Sequence, residues 1–176
     1  RNKIFKFIKK YWFWFVIAAF CLTPVIWFWG RHDVLINGLD TNFPLNPLVW
    51  FKRRFFVWYD LVNAGSDFSS SMSGVFFHLI QTIPYLLGLK LQAVEIISLI
   101  VWFSFVVLSS LAFIRSTGIK SKGAWLIFVL IYSFNIYLFN TWENVKVSNL
   151  AFYVSLPLFL SLINFYRKKI IPAPKL

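Results

Sequence analysis

The 176-residue chain is 59% hydrophobic and 22% aromatic, and only 14% of it is charged, against about 25% charged in an ordinary soluble domain. Its formal charge is +12, but the eighteen Lys and Arg gather at the ends of apolar runs, which is the pattern of membrane topology signals and not of a nucleic-acid surface. A single Cys21 excludes an internal disulfide or CxxC metal site, and the chain has no Gly-rich phosphate loop, His-Glu-x-x-His pattern or Gly-x-Ser-x-Gly elbow to suggest nucleotide, zinc-protease or serine-hydrolase chemistry.

Five basic residues between Arg1 and Lys10 precede an uncharged run of nineteen, Tyr11 to Trp29, about 28 Å as a helix and enough for a hydrocarbon core of about 30 Å. No small-residue cleavage signal follows, so this run reads as a retained helix. About sixty-five residues then separate it from the next clear span, and loops of that length usually carry function or structure of their own. Inside this loop Asn46-Pro47 is a helix start, an N-cap followed by Pro at the first helical position. The residues after it predict an amphipathic helix over about 47–61 that bears Lys52, Arg53, Arg54 and Asp60. A stretch with five Ser follows, from Asn63 to Gly74, and then Val75 to Leu89. This second segment is interrupted by His78, Gln81 and Pro84, and its length suits an interfacial or re-entrant helix over about 74–88.

Ile96 to Ile114 is a second uncharged run of nineteen, with Ser98, Ser104, Ser109 and Ser110 able to bond to the helix's own carbonyls or to a neighbour. Residues 124–140 and 149–166 complete a hairpin that turns at Thr141 to Ser148. The expected fold class is therefore an all-α integral membrane domain over residues 1–176. It has four transmembrane helices, about 11–29, 96–114, 124–140 and 149–166, plus two interfacial helices in the first exterior loop, 30–95. An opening without Met and a close on Ile170-Ile171-Pro172-Ala173-Pro174 read as a segment of a longer polypeptide.

Charge fixes the expected orientation. With four spans, twelve Lys and Arg share the side of both termini and six lie opposite, so the positive-inside rule puts the termini in the cytoplasm and the loops 30–95 and 141–148 outside. A fifth span through Val75 to Leu89 would instead leave seven with the N-terminus and eleven opposite. The four-span arrangement also places all six acidic residues, Asp33, Asp40, Asp60, Asp67, Glu95 and Glu143, on the exterior side or at the exterior end of a helix.

The run Gly38-Leu39-Asp40-Thr41-Asn42-Phe43-Pro44-Leu45-Asn46-Pro47, followed by Trp58, Gly65, Val75-Phe76-Phe77 and Tyr85-Leu86-Leu87-Gly88, resembles the first external loop of the C-type (GT-C) membrane glycosyltransferases. The likeness is strongest to the large actinobacterial arabinofuranosyltransferases, in which an Asp-Thr pair follows the first span, and it covers roughly residues 10–165. It implies the N-terminal part of an inverting enzyme that moves a sugar, such as arabinofuranose, from a polyprenyl phosphate carrier to an exterior cell-envelope glycan. It further implies an acidic residue in this loop that assists the acceptor or holds a divalent metal. The partners expected are the bilayer, the lipid-linked sugar and the glycan acceptor, without nucleic acid.

Residue by residue, Asp40 is the expected base toward an acceptor hydroxyl, with an Asx-turn as the ordinary alternative. Glu143 is the second candidate carboxylate, assisting or metal-binding from the loop between spans three and four as the resemblance implies, with an exposed loop glutamate as the ordinary alternative. Trp142-Glu143-Asn144 contains no Asp-x-Asp pair, and a divalent ion prefers several oxygen ligands. Lys52, Arg53 and Arg54 run against the charge asymmetry, so they call for anionic headgroups or a carrier phosphate. Asp33 beside Arg31 and His32 is a further candidate carboxylate whose ordinary outcome is a solvated pair, while Asp60 suits an ion pair with Arg53 and Asp67 a turn cap. His78 suits a packed, hydrogen-bonded side chain better than a leaving-group acid. The alternative function is a non-enzymatic membrane module, either a transporter or flippase subunit or an assembly scaffold. Transport predicts charged or polar residues at mid-membrane along a path, and the four expected spans contain no charged residue.

Overall fold

A computed structural model of the chain describes residues 2–27, 35, 43–56, 58–59, 65–67, 74–136 and 147–168. The described fold is helical apart from one two-residue antiparallel pair. Helix α1 is Asn2–Cys21 and α2 is Thr23–Trp27, with a turn at Leu22 between them. Pro24 explains the break, since proline clashes with the preceding helical turn. Helix α1 begins nine residues before the expected apolar run, so it carries Lys9 and Lys10 within its length.

Helix α3, Pro47–Arg53, starts where the Asn-Pro signal put it, and the Asn46 side chain accepts a hydrogen bond from the Val49 amide at 3.2 Å. It ends far short of the expected residue 61. The Arg54, Phe55 and Phe56 amides each bond three residues back, which closes the helix in tight turns. Beyond them Phe55 to Tyr59 is a run of aromatic and β-branched residues, which favour extended backbone. Here Trp58–Tyr59 forms strand β1, paired antiparallel with β2, Ser66–Asp67. Between the strands' partners, Gly65 has φ +110° and lies against the Trp58 indole, so a Cβ there would come within 2.3 Å of the ring. Only glycine fits both the backbone and the stacking.

Helix α4, Val75–Leu86, matches the second expected loop helix. It packs along the next helix. Its Phe77 ring meets Trp102 of α5, Leu91–Ser116, with centroids 4.7 Å apart. Phe77 stands nine residues before the end of α4, about 14 Å at helical rise, and Trp102 eleven residues into α5, about 17 Å. The two helices are thus an antiparallel hairpin, turned through Gly88 at φ +81°. In α4 the apolar and polar positions meet two different neighbours, α5 on one side and α3 on the other.

Helix α5 is longer than the expected span at both ends. Its Ser98, Ser109 and Ser110 hydroxyls bond to the carbonyls of Val94, Val106 and Val107, which satisfies them without water. Helix α6, Lys122–Ser133, is capped by Ser121 and covers only part of the expected 124–140, whose residues 137–140 lie outside the described residues. Helix α7 is Val147–Arg167. Two helices are long and apolar enough to cross a membrane, α5 and the Leu150–Arg167 part of α7. Helix α1 misses that standard because its basic residues intrude into its length, and α6 because of its twelve described residues.

Ring pairs set the helix directions. Phe13 meets Trp125 and Phe20 meets Phe134, so α1 and α6 run the same way. Phe103 meets Phe134 and Phe113 meets Phe128, so α5 runs against α6. Asn164 of α7 donates to the Ser116 hydroxyl at 3.0 Å and the Lys168 ammonium to the Ser116 carbonyl, which ties the C-terminal ends of α5 and α7 together. A cation at these last carbonyls also suits the helix dipole. The core lies between these helices, with Phe13, Ile17, Phe103, Val106, Val107, Val129 and Leu150 all buried.

The outer faces remain apolar. Only 17% of the apolar stretch of α7 is buried against the rest of the chain, and Trp14, Phe15, Phe152 and Phe159 are among many exposed large side chains. A core helix of a soluble protein would be mostly buried, and soluble surfaces rarely expose apolar area so continuously. Hydrocarbon is the solvent that fits these faces.

Candidate functional site

The most elaborate polar cluster among the described residues joins α3 to α4. Asn46, Trp50 and Arg53 share one side of α3 at helical spacing, and together with Leu35, Phe43, Pro44, Leu45 and Val49 they line a partly open cavity of about 460 Å³. The floor and walls are apolar, and the polar groups are one amide and one guanidinium. Both Arg53 and Arg54 stand by the Trp50 ring, with Cζ 5.8 and 5.6 Å from its centroid, within cation–π range.

Next to this cavity the Arg54 Nη2 donates to His78 Nε2 at 2.8 Å, and the other ring nitrogen, Nδ1, pairs with Gln81 Oε1 at 3.0 Å. A guanidinium has donors only. His78 Nε2 must therefore carry the lone pair, and the proton of the neutral ring sits on Nδ1 and is donated to Gln81. Burial lowers the His78 pKa most. The Gln81 hydrogen bond opposes that shift and the Arg54 charge adds to it. Burial also lowers the Arg54 pKa, from a value so high that the group stays charged. The joint is completed by Thr82, buried on α4, whose hydroxyl donates to the Pro47 carbonyl at 3.2 Å.

The basic triplet thus divides by role. Arg53 faces the cavity, Arg54 holds His78, and Lys52 is exposed. His78 is part-buried and hydrogen-bonded through both ring nitrogens. Asp33, Asp40, Asp60 and Glu143 lie outside the described residues, and Asp67 lies in β2. The structure therefore brings together Arg53, Arg54 and His78 from the residues the sequence singled out.

Two participants, Trp50 and Gln81, were not singled out by the sequence, and a third residue, Glu95, lies apart from the cluster. Trp50 is three and four residues before the two arginines, a helical spacing that marks a shared face. Gln81 is three residues after His78 in the same relation. Glu95 was placed at the exterior end of a span, yet α5 starts four residues earlier and buries it to 2% exposure, one turn from buried Ser98. Its signal was Gly88 and Lys90, which end one helix and start the next before Leu91.

Among the described residues no three His, Cys, Asp or Glu side chains gather as a metal site. Asp40 and Glu143, the carboxylates that the resemblance implies for a divalent metal, lie outside the described residues. The chain matches no protein-family model, no curated protein and no solved structure.

Proposed function

We propose that this chain is a four-pass membrane unit of a GT-C glycosyltransferase that takes its sugar from a polyprenyl phosphate carrier and gives it to an exterior cell-envelope glycan. The single observation that carries the reading is the α3 cavity. It combines apolar walls suited to a lipid with Arg53 and Asn46 suited to phosphate oxygens, in a loop where Asp40 stands three residues before the lining residue Phe43. The alternating directions of α1, α5, α6 and α7 support four crossings, and Lys9, Lys10, Arg115, Lys122 and Lys168 share one end. Lys122 stands 5.9 Å from the Phe13 ring and Arg115 5.5 Å from the Trp125 ring.

In the reaction, an acceptor hydroxyl attacks the anomeric carbon as the bond to the carrier phosphate breaks, with inversion. The hydroxyl proton passes to Asp40, and the carrier phosphate leaves with the bonding pair. Glu143 is the second carboxylate of this scheme. Holding the phosphate by Arg53 stabilises the charge that develops on the leaving group.

The experiment is Asp40→Ala in the full-length protein, assayed with a labelled polyprenyl-phosphate sugar in membranes. Transfer is lost while insertion is retained; near-normal turnover would refute the assignment. Buried Glu95 in a candidate span supports a second reading, a transporter or flippase subunit. Normal transfer in Asp40→Ala together with lost translocation of a lipid-linked substrate in Glu95→Gln is the outcome that selects it.

A further inference from the structure

We infer that His78 is a positioning residue that works as an acid-sensitive latch: only its neutral, Nδ1-protonated ring can hold Arg54 and so keep α3, with Trp50 and Arg53, docked on α4.

The inference rests on hydrogen-bond chemistry at one ring. Arg54 can only donate, so the bond at 2.8 Å exists only while His78 Nε2 accepts. Gln81 Oε1 fixes the proton on Nδ1 from the other side at 3.0 Å. An added proton turns Nε2 into a donor facing a donor and sets two positive charges at hydrogen-bond distance. Both effects push Arg54 away from α4.

The leverage on the cavity is short. Arg54 is the C-cap of α3, next in sequence to Arg53, and its guanidinium also stands by the Trp50 ring. The His78 ring itself lies 6.0 Å from Trp50, tilted by 32°. Gly74, at the start of α4, lets the Arg54 head lie close, since a Cβ there would be 3.3 Å from its Cζ and Nε. Releasing Arg54 therefore loosens the last turn of α3, the turn that carries Arg53.

On α3 the charged groups around the latch have the same bias. From α3 come Lys52, Arg53 and Arg54, all cationic. On α5, which packs along the other side of α4, the nearest ionisable group by register is buried Glu95, roughly level with Thr82 to Pro84, about 9 Å further along the helix at ~1.5 Å per residue. The lowering of the His78 pKa by burial, with Arg54 acting in the same direction, agrees with a ring kept neutral at neutral pH. The folded pKa lies below the ordinary value near 6.5. The latch is therefore fully closed above about pH 6.5 and is lost as pH falls through the folded pKa.

The consequence for an anionic lipid in the cavity rests on the reading proposed above, but the latch itself is tested without ligand. The 176-residue chain has two histidines, so that chain with His32→Gln in lipid nanodiscs gives one histidine signal by ¹⁵N NMR. The expected result is the Nδ1-protonated tautomer at pH 7.5 and a midpoint below 6.5. In parallel, spin labels at Phe56→Cys and Phe76→Cys, both exposed, in a Cys21→Ser background report the distance between the end of α3 and α4. One narrow distance is expected at pH 7.5 and a broadened distribution at pH 5. His78→Gln, whose amide oxygen accepts from Arg54 without titrating, keeps the narrow distance at both. An Nε2-protonated ring, a midpoint at or above 6.5, or the same acid broadening in His78→Gln overturns the inference. Failure of phosphate-lipid binding in the cavity would sink the ligand assignment while leaving these readouts intact.

Discussion

Arg53 and Arg54 are adjacent in sequence but differ in what they touch, and replacing each with Met separates the roles. Arg53 lines the cavity of about 460 Å³ with Asn46 and Trp50. A hydrogen bond to a charged group contributes about 1.5–3 kcal/mol. Because Arg53 is half-buried and part of its charge is screened by solvent, the lower end applies, and Arg53→Met should weaken binding of a long-chain polyprenyl phosphate by roughly tenfold. Arg54→Met removes the donor to His78 Nε2. Its first effect is on the docking of α3 and α4, with ligand affinity following only through Arg53 and Trp50. The assay is titration of the full chain in nanodiscs, read by the change in Trp fluorescence, with a Trp50→Phe control. Affinity of Arg53→Met within twofold of the parent, or an equal loss for Lys52→Met, would refute the division of roles.

Two glycines with positive φ give a paired test of backbone against packing. Gly65→Ala meets both left-handed strain and the Trp58 ring at 2.3 Å, so it should disrupt the β1–β2 pair and raise hydrogen exchange across 58–67. Gly88→Ala has the same strain and nothing within 4 Å, and should cost only the ~1–2 kcal/mol of that conformation. Equal losses in thermal unfolding of the two variants would show that the indole contact plays no part. Stability should also fall as pH drops below about 6.5, because the folded state resists protonating His78. His78→Gln should remove that slope.

How much of this was legible in the residues differs from element to element. The Asn46-Pro47 start of α3 was readable because N-capping and proline's fixed φ are local rules. The end of α3 was not, since the arginine that closes it is held by His78, twenty-four residues away. The antiparallel set of α4 against α5 depends on the Phe77 and Trp102 rings meeting, which a hydrophobic pattern cannot specify. Uncharged runs located α5 and α7 well because length and apolarity are the membrane's own requirement. In the site, Arg53, Arg54 and His78 were singled out as odd charges in an apolar loop, but their division of labour arises from tertiary contacts. Glu95 was read as a helix end because α5 was expected to begin at Ile96, one residue after it.

Sidedness is the claim on which the cavity, the carboxylates of the loop and the reading as a surface transferase all depend. In a Cys21→Ser background, single cysteines at Leu45 and Lys120, both exposed, can be labelled in intact cells with a membrane-impermeant maleimide. The four-pass arrangement predicts labelling of Leu45→Cys from outside and of Lys120→Cys only after permeabilisation. Labelling of both from the same side would contradict it.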